Sequence, residues 1–164
     1  MRIKVIFIGL LVLITGCNQS KQPDEDTADT GAVDDRSDAQ NLFIYTPKDA
    51  FWEYQYDTTI QDFKPVKVRE IPADSLTTES VESIVNNTWP NVQVSYQKTS
   101  GDTVFLEIPE SAVLTQQMGT AGAKQFLVST TYSFTELSGV HYVAFDFEEG
   151  DHAVPGVYSR KSFR

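Results

Sequence analysis

From residue 42 onward, short runs in which every second residue is apolar alternate with longer stretches whose apolar positions recur every three or four residues. Leu42-Phe43-Ile44-Tyr45 predicts a short strand, and Pro65 to Ile71 predicts a second, closed by Pro72. An aromatic-rich stretch lies between them. Beyond Pro72, Val81, Ile84 and Val85 share one helical face, Thr77 is a suitable N-cap, and Leu76 and Val81 stand where a hydrophobic staple would close the first turn. Trp89-Pro90 ends that helix. Val92, Val94 and Tyr96 alternate with polar residues, Ser100-Gly101-Asp102 turns the chain, and Val104, Leu106 and Ile108 alternate again, which predicts a hairpin. The segment from Gly119 to Leu137 fits two patterns. Ala123, Phe126, Leu127, Thr130, Phe134 and Leu137 form a helical stripe, whereas Phe126, Val128, Thr130, Tyr132 and Phe134 alternate as a strand would. Length favours the helix, with Thr120 as N-cap and Ser138-Gly139 as the stop. Val140 to Phe147 predicts a last long strand before the Glu148-Glu149-Gly150-Asp151 turn. The order is strand, strand, helix, hairpin, helix, strand. It predicts an α+β domain over residues 42–164, with a mixed, mostly antiparallel sheet and two helices packed on one face. Leu106 and Phe126 would then meet across the sheet–helix interface.

The first 41 residues follow other rules. Arg2 and Lys4 precede an apolar run from Val5 to Ile14, which is too short to span about 30 Å of hydrocarbon and reads as a signal peptide over residues 1–16. Ile14-Thr15-Gly16-Cys17 resembles the lipobox of bacterial lipoproteins, which implies that Cys17 is acylated with palmitate-like chains and ties the chain to a membrane. Several acyl chains at about 0.8 kcal/mol per buried methylene hold far more firmly than one. The competing reading is a soluble secreted protein with a free thiol. Asn18 after the cysteine resembles the sorting pattern for the outer membrane. Residues 18–41 carry seven acidic residues against Lys21 and Arg36, and Val33 is their one aliphatic residue larger than alanine. Such a stretch reads, from Cys17 to Asn41, as a disordered acidic tether. As a flexible coil its ends would lie roughly 25–30 Å apart. An acidic run near a lipidated cysteine also resembles a surface-export signal, but here it begins seven residues after Cys17. The expected location is therefore the cell envelope, with the periplasmic face of the outer membrane favoured over the cell surface.

A further resemblance rests on Gly101 to Ser111, GDTVFLEIPES, on the amphipathic Met118–Leu137 segment, and on GVHYVAFDFEEG from Gly139 to Gly150. Tyr132-Ser133-Phe134-Thr135-Glu136-Leu137, the following Gly-Val and the strand entering an acidic turn are similar to the second half of a GerMN-type domain. That family is found in spore-germination, sporulation and envelope lipoproteins. The resemblance spans roughly residues 66–150 and implies an interaction or ligand-binding module without a catalytic constellation. The chain departs from the pattern in its first helix, which lacks a Leu-rich second turn, and in its Asp151–Phe163 tail.

Charge and candidate chemistry narrow the function. A net charge of −10 opposes binding to nucleic acid. The single cysteine excludes an intrachain disulfide and a Cys-based zinc site. No G-x-S-x-G, P-loop or full dinucleotide-binding spacing is present, so neither an enzyme nor a cofactor is expected. His141 alternates with Val143 and Phe145 and reads as a sheet histidine. Asp146, Glu148, Asp151 and His152 form a weak candidate metal or polar site, set against the simpler reading of a solvated acidic turn. Seven of the 19 aromatic residues fall between Phe43 and Phe63, and some of them must pack in the core, because large aromatics supply much of a small domain's burial. Within that stretch Trp52, Tyr54 and Tyr56 alternate and are the candidate binding surface, with core packing as the alternative. The reading that results is a lipid-anchored envelope protein whose domain is a non-catalytic protein-interaction module. A small-ligand or glycan binder is the alternative, and an envelope hydrolase a more remote one.

Overall fold

In the computed structural model, which describes residues 44–163, the regular elements are β1 (Trp52–Asp57), β2 (Asp62–Lys67), α1 (Thr78–Thr88), β3 (Ser95–Ser100), β4 (Thr103–Glu107), α2 (Gly119–Phe134), β5 (Tyr142–Asp146) and β6 (Gly156–Tyr158). A π-helical turn, Val113–Gln117, precedes α2, and a 3-10 turn, Arg160–Phe163, ends the described chain. The fold is α+β, as the hydrophobic pattern predicts. Its strands form two sheets: β1 and β2 pair as an isolated antiparallel hairpin, and the other four lie in the order β3-β4-β5-β6. The four-stranded sheet is mixed. β3–β4 and β5–β6 are antiparallel, while β4–β5 is parallel and so needs the long crossover that α2 supplies.

The core forms because the alternation in β4 and β5 points Val104, Leu106, Val143 and Phe145 to one face, where α1 and α2 cover them. Leu106 and Phe126, which the pattern assigned to facing surfaces, are both fully buried in this cluster. Trp89 closes its centre, with its ring edge-on to Phe126 at 5.6 Å and its Nε1–H donated to Ser129 Oγ at 3.2 Å. α1 starts as predicted. The Thr77 hydroxyl accepts from the Ser80 amide, Ser80 Oγ accepts from the Thr77 amide, and Leu76 packs on the core. The β3–β4 turn is a two-residue loop, Gly101-Asp102, with Gly101 at φ 61°, a conformation glycine adopts without steric cost.

Other expectations need correction. Ile44 and Tyr45 are not in a strand, and Leu42 and Phe43 lie outside the described residues. Instead the Thr46 amide bonds to the Thr88 carbonyl at the end of α1, and Tyr45 packs on Trp89 at 4.6 Å. The predicted Pro65–Ile71 strand is shifted toward the N-terminus because its partner is β1, whose register pairs Trp52 with Lys67 and Asp57 with Asp62. α2 has no side-chain N-cap at Thr120. The π-helical turn runs directly into it through Met118, and Thr120 lies inside the helix. Two strands are not predicted by the pattern: β1, which lies in the aromatic-rich stretch between the two expected strands, and β6, whose three residues carry no readable period. No helix among the described residues is long and apolar enough to cross a membrane.

Candidate functional site

β1 alternates aromatic and polar residues, so Trp52, Tyr54 and Tyr56 share one face of the hairpin, as the spacing predicted. β2 brings Phe63 opposite Tyr56 and Pro65 opposite Tyr54 on that face. The hairpin packs on α2 by its root only, and exposure therefore rises toward the tip. Trp52 lies against Tyr132 of α2, with ring centroids 5.0 Å apart. Tyr54 is 8% exposed, with Lys124 Nζ 5.2 Å above its ring. Toward the tip, Tyr56 is 54%, Ile60 58% and Phe63 48% exposed, and Ile60 and Phe63 border a depression of about 390 Å³ whose other wall includes Lys124 and Tyr132 of α2. Of the three rings singled out in the sequence, Trp52 and Tyr54 are packing residues and Tyr56 is a surface residue. Sequence reasoning missed Ile60. A lone aliphatic in a polar turn, between Thr59 and Gln61, was the signal available.

The tip is held in shape. The Thr59 amide donates to Asp57 Oδ1 at 2.7 Å, and Lys64 pairs with Asp57 at 2.5 Å. The hydrogen bond from Lys64, then that from the Thr59 amide, lowers the Asp57 pKa to about 2. Phe63 sits between Tyr54 and Tyr56, 5.3 Å from each, stacked on the first and edge-on to the second. The rings thus pack on one another into a knob, which differs from the open planar platform a sugar ring stacks on.

At the root, Arg160 locks the hairpin, α2 and the C-terminal turn together. Its guanidinium lies 5.0 Å from the Trp52 ring and 4.9 Å from the Tyr132 ring, and its Nε–H donates to Thr135 Oγ1 at 2.8 Å. Its Nη2 donates to the Tyr132 carbonyl and to Glu136, which also receives Lys67 of β2 at 2.9 Å. Burial alone would raise the Glu136 pKa, but the hydrogen bonds from Arg160 and Lys67 outweigh it and hold the carboxyl below its ordinary value. The bond to Glu136 raises the Lys67 pKa in turn. At the edge of β1, Tyr45 donates to Glu53 at 2.7 Å, and burial together with that bond raises its pKa.

The acidic turn has a different character. Asp146 is exposed at the end of β5, and the His152 ring meets Thr120 Oγ1 at 3.3 Å through Nδ1. Among the described residues, no three of His, Cys, Asp and Glu converge as a metal-holding group, so Asp146, Glu148, Asp151 and His152 are not brought together as ligands. Backbone closure accounts for the turn instead, since the His152 amide donates to the Thr115 carbonyl at 3.1 Å. Cys17 and residues 18–41, for which the composition predicts a tether, lie outside the described residues. No protein-family model matches the chain, and neither a characterised protein nor a solved structure matches it.

Proposed function

We propose that the chain is a lipid-anchored envelope protein of GerMN-like type, whose domain is a non-catalytic module that binds another envelope protein through the hairpin tip. One observation carries the reading: Tyr56, Ile60 and Phe63 project together beyond the core on a hairpin whose root is fixed. Large apolar side chains gathered at a well-ordered protrusion are what a partner's pocket takes up as an anchor. The lipobox resemblance at Cys17 supports the location, and the acidic tether supplies the reach. A glycan partner is less well served by rings that already occupy one another.

Two experiments test the two halves. A photo-crosslinking residue at position 60 of the full chain in its native envelope should give a discrete protein adduct that Phe63→Ala abolishes, whereas one at position 97 on β3 should give none. Equal adducts from both positions, or no protein adduct from position 60, would refute the interaction surface. For the anchor, Cys17→Ala should release the chain from the membrane fraction or block its maturation, and unchanged membrane association would refute lipidation.

A further inference from the structure

Between the start of β5, the end of α2 and the C-terminal turn lies a depression of about 460 Å³, lined by Asp102, Thr135, His141, Tyr142, Ser159, Arg160 and Lys161. Neither the hairpin tip nor the acidic turn forms part of it. Three basic side chains meet there in a chain of net charge −10. Arg160 is unusually constrained. Aromatic rings flank the guanidinium, and the Nε–Nη2 edge is used by Thr135, Tyr132 and Glu136, which leaves Nη1 with no partner among the described residues. Lys161 Nζ and the His141 ring likewise have none. A guanidinium held in place in this way loses little freedom when it binds an anion.

The two-pronged edge of a guanidinium, which takes a carboxylate or a phosphate bidentately, is occupied, so an anion would meet Arg160 through Nη1 alone. A phosphate group offers three acceptor oxygens and so can take up single donors from separate side chains, and the lining supplies Arg160, Lys161, Ser159 and His141. The backbone beneath is fixed, because the amides of His141 and Tyr142 both donate to the Asp102 carbonyl, at 2.8 and 3.1 Å. We infer that this depression binds a phosphate group. Asp102 is the one carboxylate in its lining and opposes the ligand, so its charge is a second handle on the site. The inference is independent of the hairpin reading and survives its failure.

The test is an amide chemical-shift titration of the full chain with inorganic phosphate at constant ionic strength, with chloride as the control. Saturable shifts should centre on residues 140–142 and 159–161. Lys161→Ala should weaken binding roughly tenfold, as expected for loss of one charge-assisted hydrogen bond. Asp102→Asn should tighten it, and Lys124→Ala, on the hairpin side of α2, should leave it unchanged. Both informative positions are exposed, so neither variant threatens the fold. Non-saturating shifts, equal shifts with chloride, or unchanged affinity in both Lys161→Ala and Asp102→Asn would overturn the inference.

Discussion

Tyr54 and Tyr56 are two residues apart on the same face of the same strand, yet their truncation should have different consequences. An aromatic side chain carries roughly 150–250 Å² of surface. Tyr54 is 8% exposed, so nearly all of that area is withdrawn from water. At about 25 cal/mol per Å² this amounts to roughly 3.5–6 kcal/mol before corrections. Allowing for residual burial in the unfolded chain and for the Cβ that alanine retains leaves about 3 kcal/mol for Tyr54→Ala. Tyr56 is 54% exposed, and the same reasoning leaves about 1 kcal/mol for Tyr56→Ala. Urea unfolding followed by tryptophan fluorescence reads the difference directly. With an m-value of about 1–3 kcal/mol/M, a gap of about 2 kcal/mol separates the two midpoints by roughly 1 M. Binding should reverse the order among folded protein: Tyr56→Ala should lose the position-60 crosslink while retaining the fold. Equal stability losses, within about 0.5 kcal/mol, would refute the graded packing on which the interaction surface rests.

Three further outcomes follow from the packing and the charges. Glu136 has a folded-state pKa below its ordinary 4.5, so its pairing with Arg160 and Lys67 stabilises the fold above that value and is lost as pH falls through the lower folded value. Urea titrations of Glu136→Gln and wild type should therefore differ at pH 7 by a gap that narrows as pH falls below 4.5, and a constant gap would reject the linkage. Alanine at Gly150 would place its Cβ 2.9 Å from the Thr115 carbonyl oxygen and closer still to Gln116 Nε2, so Gly150→Ala should cost about 1–3 kcal/mol in thermal or urea unfolding. Leu106→Ala and Phe126→Ala, both in the closed core, should each cost about 2–5 kcal/mol, and losses below about 1 kcal/mol at both would contradict the sheet–helix interface.

The elements legible from sequence are those whose signal is local. Thr77, Leu76 and Val81 announce the start of α1 through contacts within five residues, and the β3–β4 hairpin is announced by its Gly101 turn and the alternation of β4, although the apolar run Val92–Tyr96 ends where β3 begins. The helix–strand ambiguity of α2 also resolved by a local property, its length. What escaped is nonlocal or too short. The π-helical turn at Val113–Gln117 leaves no period in five residues, and its direct passage into α2 removed the cap expected at Thr120. The number of sheets depends on which edges meet in space, so the alternation of Trp52, Tyr54 and Tyr56 could be read without revealing that they lie on a strand paired only with β2.

The same distinction explains the site. Alternation alone places Trp52, Tyr54 and Tyr56 on one face, but it gives all three equal standing. Their ranking comes from α2, a helix more than 60 residues later, which meets Trp52 through Tyr132 and Tyr54 through Lys124. Trp52 becomes the wall of an arginine clamp, Tyr54 a buried strut, and Tyr56 a projecting ring, although nothing in their own sequence separates them. The clamp residue, Arg160, lies more than 100 positions from Trp52 in a tail that carried no recognisable motif. Removing it would loosen the hairpin, α2 and the C-terminal turn together, since its guanidinium touches Trp52, Tyr132 and Glu136 at once, and would leave the Trp52–Tyr132 contact and the Lys67–Glu136 pair to hold the root. Tip substitutions are therefore the sound probe of binding, since a root variant would change the angle of the hairpin and the shape of its tip together.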